Sequence, residues 1–120
     1  MTYVDGFVLP IPRDRLEAYK RVAETAAVVW KDHGALDYHE FLGDDMHLEG
    51  TRSFTEATGA REGDVVIFGW VTFPSREARD LANKKVPADA RMAEVMESAD
   101  CGFDPSRMIY GGFASFVRSA

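Results

Sequence analysis

The segment Val65–Phe73, VVIFGWVTF, is apolar on both sides of an extended chain. Successive side chains of a strand point to opposite faces. Val66, Phe68 and Trp70 therefore share one face, and Val65, Ile67, Val71 and Phe73 share the other. Residues 3–11 repeat the pattern, with Tyr3, Phe7 and Leu9 against Val4 and Val8. So do residues 108–117, with Met108, Tyr110 and Phe116 against Ile109, Phe113 and Val117. A sheet roofed by helices on one side only should alternate apolar and polar residues. These strands need cover on both sides, and an apolar sheet face left open is an interaction surface. A second copy of the chain, related by two-fold symmetry, is the economical cover. The expected partner is the chain itself, in a homodimer.

The remaining segments set the order of elements. Pro12-Arg13-Asp14 opens a helix, with Asp14 and Glu17 spaced as a capping box. Leu16, Tyr19, Ala23, Ala26 and Trp30 recur at helical steps, and His33-Gly34 closes the run. Ala35–Gly43 reads as a second strand, and residues 44–60 as a long polar excursion. Glu62-Gly63-Asp64 is a turn before the strand at 65–73. Ser75 can cap a helix whose inner face uses Ala78, Leu81, Ala82 and Val86, stopped by Pro87. Arg91–Ser98 forms a further short helix, residues 100–107 a loop, and 108–117 the last strand. Strand, helix, strand, strand, helix, strand predicts an α+β fold. It is the ferredoxin-like βαββαβ arrangement, an antiparallel sheet with two helices on one face. The 120 residues suit a single domain over 1–120.

Charge narrows the partners. Fourteen Lys and Arg against twenty Asp and Glu give a net charge of −6. Nucleic-acid affinity rests on basic residues that neutralise phosphates, so nucleic acid is not an expected partner. An RNA-binding reading would need Lys20, Arg21, Lys84, Lys85 and Arg91 to converge. The same charge argues against anionic membrane surfaces, and no apolar run approaches the length of a span. One cysteine, Cys101, excludes an internal disulfide framework. With no basic, apolar leader at the first residues, the expected location is cytoplasmic.

Several motifs together carry a resemblance. Tyr-Val-Asp-Gly-Phe (3–7), His-Gly-Ala (33–35), Gly-Asp-Asp (43–45) and Trp70 with Pro74-Ser75 come in order. Arg79-Asp80-Leu-Ala-Asn83-Lys84 and Arg-Met-Ile-Tyr-Gly-Gly-Phe (107–113) follow. This series resembles the YbaA-like family, domain of unknown function 1428, over nearly the whole chain. The resemblance implies a dimeric α/β barrel, in which two ferredoxin-like sheets pack face to face. It implies no established activity. Related dimeric α/β barrels include cofactor-independent monooxygenases, haem-degrading enzymes and stress-response proteins, and fold alone does not choose among them.

Candidate chemistry centres on Asp5, which alternates with Tyr3, Phe7 and Leu9 on a largely apolar face. A carboxylate there either finds a hydrogen-bonded partner or becomes a general acid or base, so Asp5 is the candidate catalytic residue. Arg79 and Asn83 lie one helical turn apart and can point together toward a cleft. Trp70, Tyr110 and Phe113 are candidates to line an apolar pocket between sheet and helices or between subunits. Asp80 and Lys84 read as an exposed ion pair. His39, Asp44, Asp45 and His47 match no metal-ligand spacing and read as a solvated loop, so no metal is expected. No cofactor motif is present either. Gly6, Gly69, Gly111 and Gly112 lie inside strands, where glycine marks a bend or a close approach. The expected function is a small-molecule binder with a pocket between sheet and helices, open to cofactor-independent chemistry at Asp5. The alternatives are a non-catalytic interaction module and an RNA-binding protein.

Overall fold

The computed structural model describes residues 2–119. Four strands form one sheet: β1 (Tyr3–Pro12), β2 (Asp37–Leu42), β3 (Asp64–Phe73) and β4 (Ile109–Ala114). Four helices join them: α1 (Leu16–Asp32), α2 (Phe54–Ala57), α3 (Arg76–Ala88) and α4 (Ala90–Ser98). The spatial order is β2-β3-β1-β4, and every neighbouring pair is antiparallel. The chain is thus α+β. The two long strands carry the sheet, paired without interruption from Tyr3 with Phe73 to Pro12 with Asp64. β4 pairs β1 only from Tyr3 to Val8. Pro10 and Pro12 fall beyond that point, where the second edge of β1 has no strand partner and a missing N–H is tolerated.

The core lies on one face. Phe7, Leu9 and Ile11 of β1 and Ile67, Val71 and Phe73 of β3 pack against Tyr19 and Val22 of α1 and Ala82 of α3. Gly69 is part of this fit. It pairs with Phe7, whose ring lies where a side chain at 69 would begin, so only glycine fits. Cys101 is buried in the same core. On the opposite face Val8 and Val66 are buried, whereas Phe41, Phe68, Ile109 and Phe113 remain exposed.

The helix termini follow local chemistry with one exception. Ser75 accepts from the Ala78 N–H at 3.1 Å and caps α3, as its position implies. Asp89 joins two helices: its N–H returns to Val86, and its carboxylate accepts from the Arg91 N–H at the start of α4. The same carboxylate meets His33 at 2.8 Å, tying the end of α1 to the α3–α4 junction. The expected Asp14–Glu17 capping box does not form. Arg13 donates its N–H to the Gly63 carbonyl, and a 3-10 turn over Arg13–Arg15 precedes α1. α1 then starts at Leu16 with no side-chain cap.

Three further expectations are corrected. β4 ends at Ala114 rather than Val117: its pairing with β1 stops at Tyr3, and one further backbone bond, from the Ser115 N–H to the Thr2 carbonyl at 3.2 Å, follows it. Phe116 and Val117 lie exposed beyond it. Leu81 faces solvent rather than the core. Asp80 pairs with Arg79 and Arg76 instead of Lys84, since both guanidiniums reach it within 4 Å. The 44–60 excursion also gains a place: its short helix α2 sets Phe54 6.0 Å from the Phe68 ring, beside the exposed sheet face.

A clamp holds the entry to β3. Asp64 accepts from the Arg61 N–H at 2.8 Å and from Arg107 at 2.9 Å, and Arg107 also donates to the Gly59 carbonyl. Burial raises the Asp64 pKa, but the Arg61 and Arg107 hydrogen bonds outweigh it and the net shift is downward. A depressed folded pKa stabilises above the ordinary value of 3.8 and loses that effect as pH falls through the folded value. Asp64→Asn is expected to cost roughly 1–3 kcal/mol near neutral pH. The difference from wild type should shrink toward about pH 2 in urea denaturation at the two pH values.

Candidate functional site

Between the sheet and the helices lies a cavity of about 170 Å³. Phe7 and Val71 form its floor, Val22, Ala26 and Trp30 of α1 one wall, and Met92 and Met96 of α4 the roof. Two carboxylates enter it, Asp5 from the central strand and Glu40 from the edge strand β2. Half-exposed Tyr110 stands at its rim.

Asp5 sits in the middle of the sheet with 1% of its surface exposed. Strand alternation places it with Phe7 and Leu9 on the helix side, so it cannot reach bulk water. Arg79, at the start of α3, supplies the charge. Its Nε donates to Oδ1 at 2.9 Å and Oδ2 at 3.1 Å. Its Nη1 donates to Asp80 at 2.9 Å, and its guanidinium lies 5.2 Å from the centre of the Tyr3 ring. Gly112 pairs with Asp5 across β1 and β4. The Arg79 guanidinium and the Tyr3 hydroxyl occupy the space that a Cβ at 112 would need. Glycine at this position lets the arginine cross the sheet edge. Tyr110 completes the group. Burial and the adjacent Asp5 carboxylate push its phenol up to about 12, while the Asn83 side chain acts the other way.

Asp5 and Tyr110 therefore line one end of the cavity, with Arg79 bonded to Asp5 behind it and Asn83 near Tyr110, and neither Arg79 nor Asn83 borders the space. Trp70 and Phe113 do not join them. Trp70 pairs with Gly6 and His39, and Phe113 with Val4, on the face away from the helices. There His39, Phe41, Phe68 and Trp70 form a run of rings with centroids 5.0–6.2 Å apart. Asp44, Asp45 and His47 lie exposed in the loop after β2. Arg91 is engaged by Asp32 and Asp89, which removes it from a free basic patch.

The cavity's second acidic residue escaped the sequence reading. Glu40 accepts from the hydroxyls of Tyr19 and Tyr38, one on each oxygen. Burial raises the Glu40 pKa and the two tyrosine hydrogen bonds oppose it, leaving a net upward shift. Both phenols are pushed far up, first by burial and then by the Glu40 charge, and stay protonated. Tyr19 and Glu40 also form the partition between the cavity and an outer groove that includes Lys20 and Leu42. The sequence did carry a signal. Glu40 alternates with Tyr38 and Leu42, opposite His39 and Phe41, so it had to share a face with an apolar core.

These features define an α+β protein with an acid-lined cavity between its helices and one antiparallel sheet. The chain belongs to the family described as "Protein of unknown function (DUF1428)", which it matches over residues 2–105. It is 44% identical over 117 residues to the "Uncharacterized protein YbaA" of Escherichia coli (strain K12), covering 98% of each chain. The YbaA protein of Shigella flexneri matches to the same extent. Among solved structures it resembles Rv0793 from Mycobacterium tuberculosis, with a TM-score of 0.57 over 100% of both chains and 11% identity. At that identity the likeness shows the fold alone. No helix among the described residues is long and apolar enough to cross a membrane.

Removing Arg79 would leave Asp5 buried without its counter-charge. Arg79→Ala is expected to cost about 3–5 kcal/mol in urea denaturation. Arg79→Lys should recover part of that loss, because it keeps the charge without the planar guanidinium.

Proposed function

We propose that this protein binds a small molecule in the cavity between its helices and sheet, with Asp5 and Tyr110 as the polar pair that meets it. The carrying observation is the combination of a mostly apolar cavity with a buried, oriented carboxylate, the usual anatomy of a ligand site. Arg79 fixes the carboxylate so that a ligand meets a preset acceptor. A carboxylate with a phenol nearby can also take a proton from a bound ligand and return it, without help from a cofactor. Native mass spectrometry of protein purified from its host tests this reading. The expected result is a discrete extra mass that is reduced in Asp5→Asn, and an unliganded wild-type protein under gentle conditions would count against it.

The same reading makes the active species a homodimer with a ferredoxin-like sheet in each subunit, packed face to face as a dimeric α/β barrel. Its support is the open face: Phe41, Phe68, Ile109 and Phe113 are each at least 42% exposed on the side without helices. Patches of this kind on soluble chains mark association surfaces. The backbone likeness to Rv0793 supports the arrangement of the single sheet. Sedimentation should give a dimer at micromolar concentration. Phe113→Glu should weaken association by about 2 kcal/mol or more, roughly thirtyfold in Kd, with an unchanged circular dichroism spectrum.

A further inference from the structure

The Glu40 end of the cavity has no role in that reading, and its chemistry constrains what can enter. Tyr19 and Tyr38 each donate to a different Glu40 oxygen, so both hydroxyl protons are engaged. A carboxylate offers about four lone-pair positions, and two of Glu40's remain to accept. At the opposite end the Tyr110 phenol stands near Asp5, whose carboxylate raises its pKa, and both Asp5 oxygens accept from Arg79. Of the side chains lining the cavity the Trp30 indole N–H and, at the rim, the half-exposed Tyr110 hydroxyl are left as donors. The polar valences at the Glu40 end are therefore acceptors.

Charge and size point the same way. Asp5 and Glu40 are the charged groups in the lining, and no Lys, Arg or His joins them. Arg79 is already shared between Asp5 and Asp80, and Lys20 belongs to the groove beyond the Tyr19–Glu40 partition. An anion in this space would meet the Glu40 carboxylate and an Asp5 already neutralised by Arg79, with no free cation to receive it. The volume of about 170 Å³ is of the order of the roughly 150 Å³ cavity known to admit benzene. Met92, Met96 and Met108 present polarizable sulfurs to whatever lies there, a surface suited to an aromatic ring.

We infer that the cavity selects a single-ring ligand, neutral or cationic, whose N–H or O–H groups are received by Glu40 between Tyr19 and Tyr38, and that it refuses anions. The inference rests on the cavity being the ligand site. A phenyl series of matched size tests it on the full-length protein: benzylamine, benzyl alcohol, benzoate and toluene, followed by the methyl resonances of Met92, Met96 and Met108. Benzylamine and benzyl alcohol should bind, with benzoate weaker by about tenfold or more. Glu40→Gln should weaken benzylamine by about tenfold and leave toluene unchanged. Benzoate binding as tightly as benzylamine would overturn the charge selection while leaving the cavity as a ligand site. If toluene and the other three all leave the methionine resonances unmoved, the ligand-site reading itself fails. Unchanged benzylamine affinity in a folded Glu40→Gln variant would remove Glu40 from the site. The wild-type series decides the sign of the charge even if that variant does not fold.

Discussion

A carboxylate in the centre of a four-stranded sheet has to find a positive charge within a few ångströms or lose its own. Asp5 meets that demand through Arg79, and much of the local architecture follows from the pair. α3 must begin directly after β3, so Ser75 caps it and sets Arg79 in its first turn. Gly112 must lack a side chain so that the guanidinium can pass over β4. Tyr3 lies beneath the guanidinium and Asp80 holds its outer edge. These residues are far apart in the chain, yet each is chosen by a single charged contact. An ion pair of this kind is seldom worth its desolvation in stability alone. Its value is geometric: it fixes the direction in which the acceptor faces the cavity.

The elements that could be read in advance were those whose identity is set locally. The period-2 strands at Tyr3–Pro12 and Asp64–Phe73, the 3.6-period face of α1 and the Ser75 cap all depend on neighbours within a few residues. Strand alternation also placed Asp5 on an apolar face before any partner was known. What failed locally failed for a tertiary reason. The Asp14–Glu17 capping box lost to a backbone bond between Arg13 and Gly63, fifty residues downstream. β4 stopped at Ala114, where its ladder with β1 ends, although the apolar pattern continued through Val117. Phe113 lies opposite Tyr110 by the alternation of their own strand, whereas Trp70 falls on the Phe113 face through the register of β3 with β1, which neither strand carries alone. Glu40 was missed because its importance lies in two tyrosines, one on α1 and one on its own strand, that meet only when β2 docks at the sheet edge.

The two faces of the sheet have opposite needs. The outer face carries the rings of His39, Phe41, Phe68 and Trp70 beside a hollow over Gly6 and Gly111, and a surface of complementary shape can close it. The inner face is prevented from closing. Filling a cavity of about 170 Å³ would return up to about 4 kcal/mol at the usual cost per unit volume, if it were dry. That is a substantial part of the 5–15 kcal/mol by which a domain of this size is usually stable. Larger side chains at Ala23 and Ala26, which both border the space, are the simplest way to occupy it. The chain has alanine at both positions, and two carboxylates face the gap that results. Apolar collapse would set Glu40, the part-exposed one of the two, against hydrocarbon, at a cost that opposes filling the space. Small residues on the helix and acids on the sheet therefore keep the space open together.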